Sequence, residues 1–533
     1  MLFRIAAPGI YAATDQAATV ATLLLRIYLF RPITASRGLA VTNALSSRIS
    51  QPLTSSQTYH TSTYDMSSAD TIESSASSQG SKRQKVNEFQ DGRKVPVYEW
   101  KSSFSDWYKH LFSSDYLDSQ VEARLLSILP FFPKSDGKRN AQIIDTDIGN
   151  GNYIHELFIE NTEKPDAVSK DQVRDVVLVH GYAASLGLFV ENFDLISAVK
   201  GIRIHAIDLL GFGLSSRPKF PSFTNNTKDD IYQIEDWFID SIEEWRKRRG
   251  IERFVLIGHS FGGYLSCAYA LKYNQNLVSA ATGVSQRMID KLILVSPVGV
   301  ERHQGSLLAN SPPLSAQVST AEFNRENAMN PEVSISQELD ADQEAIVHGN
   351  GSEDNKKFVM PQKAELNGTK LVKWLWNKNA LPFAVIRRAG PARSKWISRW
   401  TTHRFSHIYY SNPEHFQNIH DYFYRVFNGY GSGEYAITRV LQFGALARLP
   451  LLDRCPEKFV KMGLPTLWIY GDKDWMNEEA GLEMTQEINL LSKKQGEGKL
   501  ASFSILKNAG HHLYLDNPRD FANVVFKFLN FLN

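Results

Sequence analysis

Residues 253–266 read RFVLIGHSFGGYLS. The apolar run Phe254–Ile257 leads into Gly258-His259-Ser260-Phe261-Gly262, and YLSCAYALKY continues with the composition of a helix. This is the G-x-S-x-G pattern of a strand that turns sharply into a helix. Small residues are needed on both sides because the serine backbone is held in a tight, strained turn. The turn lifts the hydroxyl clear of the sheet at a helix N-terminus. Five residues with three fixed recur by chance; the strand before and the helix behind make this instance specific. The reading predicts a nucleophilic Ser260 on an α/β scaffold.

Such a serine needs an acid and then a histidine further along the chain. The strand-like TLWIY (466–470) is followed by Gly471-Asp472-Lys473-Asp474, and SILKNAG (504–510) by His511 and His512. Asp474 is expected to orient His511, with Asp472 and His512 as second choices. The competing role for either aspartate is to cap the helix that follows. His511 is expected to take the Ser260 proton and return it to the leaving alcohol. His259, inside the elbow, is given no catalytic role. Ester chemistry also needs backbone N–H groups aimed at the developing oxyanion, each worth roughly 3–4 kcal/mol. Phe261, directly after the serine, supplies one by position. Tyr182, in VVLVHGYAAS (176–185), supplies the other.

The remaining strand-like runs are VVLVHG (176–181), IRIHAIDLLG (202–211), FVLIG (254–258), KLILVSP (291–297) and FSIL (503–506). Apolar runs separated by helical stretches imply an α/β fold with a mostly parallel sheet, helices on both faces and an inserted helical cap. Residues 95–300 and 448–533 are read as two parts of one core, 301–368 as a largely disordered insert and 369–447 as the cap. Trp100, Phe104, Trp107 and Leu111 share one helical face, which is expected to be core, with membrane binding as the alternative. AIDLLGFGLSSRP (206–218) is expected to be architectural.

The chain has 533 residues, a formal charge of +2 and two cysteines, Cys267 and Cys455. That excludes a disulfide framework and gives no basic signal for nucleic acid. Residues 1–64 hold five arginines, no lysine and a single acid, Asp15. Arg-rich, Ser-rich and acid-poor is the composition of a mitochondrial transit segment. A membrane anchor at 19–30 is the rival reading, though the stretch is short and interrupted by Arg26. Residues 65–94 read as a disordered linker. No cofactor or metal is expected, because the histidines lack ligand spacing and no phosphate loop is present.

VEARLLSIL, VLVHGYAAS, AIDLLGFGLSSRP, GHSFGGYLS, LILVSPVGV, LPFAVIRRAGP and NAGHHLYLDNPRDF together resemble the α/β-hydrolase-domain lipid acyl hydrolases and acyltransferases. That family includes the lipid-droplet lipase co-activator and the fungal mitochondrial cardiolipin-specific deacylases. The resemblance spans roughly residues 97–300 and 370–533. It implies an α/β-hydrolase fold and a phospholipid substrate met at a membrane surface. It also associates Asp516, in the H-x-x-x-x-D spacing from His511, with acyl transfer; support of the local turn is an equal alternative. The co-activator branch lacks the serine that this chain keeps, so the resemblance points to a deacylase acting on cardiolipin, peripheral on the mitochondrial inner membrane. An acyl-CoA-dependent lysophospholipid acyltransferase and a catalytically silent adaptor are the rivals. From Ala380 to Pro413 the cap has no acid but carries Arg387, Arg388, Arg393, Lys395, Arg399 and Arg404, with Trp396, Trp400 and Tyr409 among them. Arg387, Arg388, Arg393 and Arg399 are candidates for lipid headgroups. The bland alternative is a solvated face with core tryptophans.

Overall fold

The computed structural model describes residues 99–110, 115–164, 174–274, 276–278, 285–308, 376 and 382–531. The transit-like segment, the linker, Leu111 and nearly all of the insert lie outside them.

Eight strands form one sheet: β1 (Arg139–Gly149), β2 (Asn152–Asn161), β3 (Asp175–Val179), β4 (Arg203–Ile207), β5 (Phe254–His259), β6 (Ile289–Val295), β7 (Thr466–Gly471) and β8 (Ala501–Leu506). Their order is β1-β2-β4-β3-β5-β6-β7-β8. The β1–β2 and β2–β4 pairs are antiparallel and the rest are parallel. The parallel strands are largely apolar because both faces are covered, and alternate residues feed two cores. In β5, Phe254 and Leu256 pack under the helices Lys228–Arg248 and Phe261–Tyr273. Val255 and Ile257 pack under Val190–Ser197 and Pro518–Leu529. Burying one such side chain stabilises by about 1.5–3 kcal/mol.

The β1–β2 hairpin was not among the strands expected from sequence. Its signal is nonetheless present: Asn150 (φ 55°) and Gly151 (φ 71°) both adopt positive φ, as a tight hairpin turn requires.

The cap is built from Pro382–Arg388, the long cap helix Ala392–Ser411 and a second helix, Pro413–Asn428. Trp400, Phe405, Phe423 and Phe427 pack as one aromatic cluster inside it. Trp400 is therefore core, as the bland alternative had it.

The N-terminal helix Trp100–His110 corrects an expectation. Its aromatic face is not core, since Trp100 is 61% and Phe104 54% exposed. The helix docks by its polar side instead. Ser103 donates to the Pro391 carbonyl and accepts from the Lys395 N–H, while Ser394 donates to Asp106. Periodicity locates a face; hydrogen bonds to the start of the long cap helix decide which face is buried.

Candidate active site

Ser260 follows β5 and precedes the helix Phe261–Tyr273 with φ 54° and ψ −117°, a strained conformation for a residue with a side chain. The neighbouring glycines allow it. A Cβ on Gly258 would lie 2.4 Å from Ser266 Oγ, and one on Gly262 would lie 2.3 Å from the His180 carbonyl oxygen. The turn is closed because both positions are bare.

His511, on the loop after β8, places Nε2 at 2.9 Å from Ser260 Oγ. Its Nδ1 lies 3.2 Å from Asp474 Oδ1, on the loop after β7. The Asp474 side chain is completely buried. Burial pushes its carboxyl up, but the His511 ring, the Ser296 hydroxyl beside it and the Met476 N–H outweigh this and hold it below the usual range.

The second choices fall elsewhere. Asp472 accepts the Ala509 N–H at 2.9 Å and ties the loop after β7 to the loop after β8. Neither aspartate caps the following helix, because Asn477 does so through the Ala480 N–H. His512 is buried against His259 and close to Arg404; burial first, then the His259 ring and the Arg404 charge beside it, push its pKa well below 6.5.

The loop carrying Tyr182 rests on the elbow. A Cβ on Gly181 would lie 2.9 Å from both His259 Nδ1 and Ser260 Cβ. The buried His180 fixes this loop: its Nδ1–H points to the Gly181 carbonyl and its Nε2 accepts the Leu209 N–H. Asp208, fully buried, accepts the N–H groups of Leu186 and Leu214, which gives residues 206–218 their architectural role. Tyr182 and Phe261 border the same small cavity as Ser260, His511, His512 and Trp475, with Val298, Ile437, Leu441 and Ala445 as its apolar wall. Its volume is ≈ 20 Å³. That is room for about one water.

His259, given no role from sequence, has one in the loop. Its Nε2–H donates to the His511 carbonyl at 2.9 Å. Asp516 accepts the Gly510 N–H at 2.9 Å and pairs with Arg404, so it supports the turn. For Asp516 this is the local-turn alternative read from the sequence, whereas a His259 contact to backbone carries no side-chain signature.

The cap arginines are mostly committed internally. Arg387 forks onto buried Glu434, which corrects its reading as a free headgroup cation. Arg393 donates to the Tyr424 hydroxyl at 2.9 Å, while Arg399 is exposed on the long cap helix. Arg388 is exposed. Among the described residues no cluster of His, Cys, Asp and Glu is arranged to hold a metal ion, and no helix is long and apolar enough to cross a membrane.

A serine on a strand-to-helix elbow, backed by an imidazole and a buried carboxylate from later loops, is the arrangement of an α/β hydrolase. Residues 176–518 match the family described as the alpha/beta hydrolase fold, and the chain belongs to it. It is 30% identical to a 1-acylglycerol-3-phosphate O-acyltransferase of Arabidopsis thaliana, over 78% of this chain and 80% of that one. It is 27% identical to the 1-acylglycerol-3-phosphate O-acyltransferase ICT1 of Saccharomyces cerevisiae, over 66% and 81%. It is also 27% identical to a (lyso)-N-acylphosphatidylethanolamine lipase of Homo sapiens, over 66% and 77%.

Proposed function

We propose that this protein is a serine acyl hydrolase that removes a fatty acyl chain from a membrane phospholipid. One observation carries the reading: Ser260 Oγ sits 2.9 Å from His511 Nε2, and Asp474 stands behind the same ring. Ser260 Oγ attacks the acyl carbonyl carbon while His511 Nε2 takes its proton. The N–H groups of Phe261 and Tyr182 receive the oxyanion. Collapse breaks the ester bond, and His511 returns the proton to the departing lysophospholipid oxygen. Water, deprotonated by His511, then attacks the acyl-serine; the acyl–Oγ bond breaks, the fatty acid leaves and His511 returns the proton to Ser260 Oγ.

The cavity over Ser260 is small, ≈ 20 Å³, and Ile437, Leu441 and Ala445 give it an apolar wall against which an acyl chain would lie. Supporting a phospholipid substrate are the names of the relatives above, which are lipid acyltransferases and a lipase. The finer reading is cardiolipin, deacylated to monolysocardiolipin on the mitochondrial inner membrane. Its supports are the transit-like composition of residues 1–64 and the sequence resemblance to the deacylase branch.

The acyltransferase names of the plant and yeast relatives favour a second reading. There an acyl-CoA acylates Ser260, His511 protonates the leaving thiolate, and a lysophospholipid hydroxyl takes the place of water.

The test is full-length protein mixed with vesicles of cardiolipin, phosphatidylethanolamine and phosphatidylcholine, with and without acyl-CoA, products being read by mass spectrometry beside Ser260→Ala. Lysophospholipid and fatty acid from the wild type alone, without acyl-CoA, support the hydrolase. Product only with acyl-CoA supports the transferase. Equal behaviour of wild type and Ser260→Ala sinks both.

A further inference from the structure

The loop that carries His511 is gripped at three successive backbone groups. Asp516 Oδ2 accepts from Gly510 N–H, His259 donates to the His511 carbonyl, and Arg404 donates to the His512 carbonyl at 3.1 Å. Two of these grips belong to the sheet side of the molecule. The third comes from the cap, because Arg404 lies on Ala392–Ser411, one residue before Phe405, where φ −119° and ψ 25° interrupt the helix. Arg404 also pairs with Asp516, the residue that holds Gly510. One cap side chain thus holds one end of the loop directly and the other end through an acid. The pair is sheltered, its side chains 15% and 22% exposed, so solvent screens it less than a surface pair.

We propose that Arg404 is a positioning residue for His511, so that the seating of the cap sets the geometry of the histidine loop. The proposal rests on the reading of Ser260, His511 and Asp474 as the reactive set. Movement of the cap as lipid enters pulls Arg404 from both the His512 carbonyl and Asp516. The loop then slackens, and His511 returns to Ser260 only when the cap reseats. The H-x-x-x-x-D spacing acquires a physical meaning in this chain. It brings the Asp516 carboxylate back under Gly510, within reach of a cap arginine, without asking it to touch the acyl group.

The experiment uses full-length Arg404→Ala, Arg404→Lys, Asp516→Ala and the Arg404→Ala/Asp516→Ala double variant. Each is assayed for kcat and KM on p-nitrophenyl butyrate and for its thermal midpoint. Arg404→Ala is expected to lower kcat by about 10- to 100-fold, the scale on which a displaced catalytic group slows a reaction, with KM within about twofold of wild type. Arg404→Lys should recover part of the loss, because an ammonium reaches the carboxylate but lacks the fork that also serves the carbonyl. The double variant should be slower than Asp516→Ala by a smaller factor than Arg404→Ala is slower than wild type, since the two residues share one contact while Arg404 alone holds the His512 carbonyl. An Arg404→Ala enzyme with unchanged kcat overturns the proposal. So does a loss that is equal in Ala and Lys and follows the thermal midpoint. A wild type that does not turn over the ester, while folded, removes the catalytic reading itself and the proposal with it.

Discussion

Two sets of buried histidines lie along the sheet, and their surroundings treat them in opposite ways. His180, His259 and His512 sit around Ser260; His155 and His205 sit near the antiparallel edge formed by β1, β2 and β4. Burial disfavours the charged ring in every case. Around Ser260 nothing compensates enough. His180 is lowered, and His259 and His512 are pushed well below 6.5, burial being the largest cause and the Arg404 guanidinium adding to it at His512. At the edge, carboxylates overturn the burial effect. His155 is clasped by Glu122 at 2.8 Å and Asp145 at 2.6 Å and is raised well above 6.5. His205 lies between Glu156 at 2.7 Å and Asp175 at 3.1 Å and is raised as well. The edge histidines are part of the scaffold's ion pairs. The neutral ones form the quiet surround of the ring that touches both Ser260 and a carboxylate, His511.

The largest expected effect separates chemistry from scaffold. Ser260→Ala and Asp474→Asn should each cost roughly 10⁴-fold or more in ester turnover, with thermal midpoints near wild type, as measured by initial rates and calorimetry. His155→Gln should do the reverse. It leaves Glu122, whose side chain is fully buried, without its cationic partner. A loss of about 3–5 kcal/mol in urea unfolding follows, with kcat of the folded fraction unchanged. If His155→Gln slowed catalysis as much as Asp474→Asn, the division between the two sets would be wrong.

A smaller effect comes from pH. The lowered site histidines bind protons more readily when unfolded, so they reduce stability as pH falls below about 6.5, by at most about 1.4 kcal/mol per pH unit for each ring. The raised His155 contributes stability that is fully present below about 6.5 and lost as pH rises through its folded value. Urea midpoints between pH 5 and 8 should therefore show His512→Gln losing less stability than wild type on acidification. The gap between wild type and His155→Gln should narrow as pH rises. Parallel curves for all three proteins would contradict the assignment.

The same division explains what the sequence disclosed. The elbow was legible because its backbone demands glycine at Gly258 and Gly262, and the parallel strands because burial on two faces forces continuous apolar runs such as Phe254–Ile257. The order of serine, acid and histidine followed from the loops after β7 and β8. The N-terminal helix was misread because periodicity in Trp100, Phe104 and Trp107 does not say which side a partner covers. Arg387 was misread because its partner, Glu434, lies 47 positions away. His259 and Arg404 left little trace because they act on backbone groups, which any residue supplies, whereas Asp516 was found by its spacing from His511.

The most direct test of the central claim is reaction of the full-length protein with an alkyl fluorophosphonate, with the adduct mapped by peptide mass spectrometry. The account predicts a single stoichiometric adduct on Ser260, absent from Ser260→Ala, strongly slowed in Asp474→Asn and unchanged in His155→Gln. A folded wild type that leaves Ser260 unmodified, or a label that persists in Ser260→Ala, would contradict it.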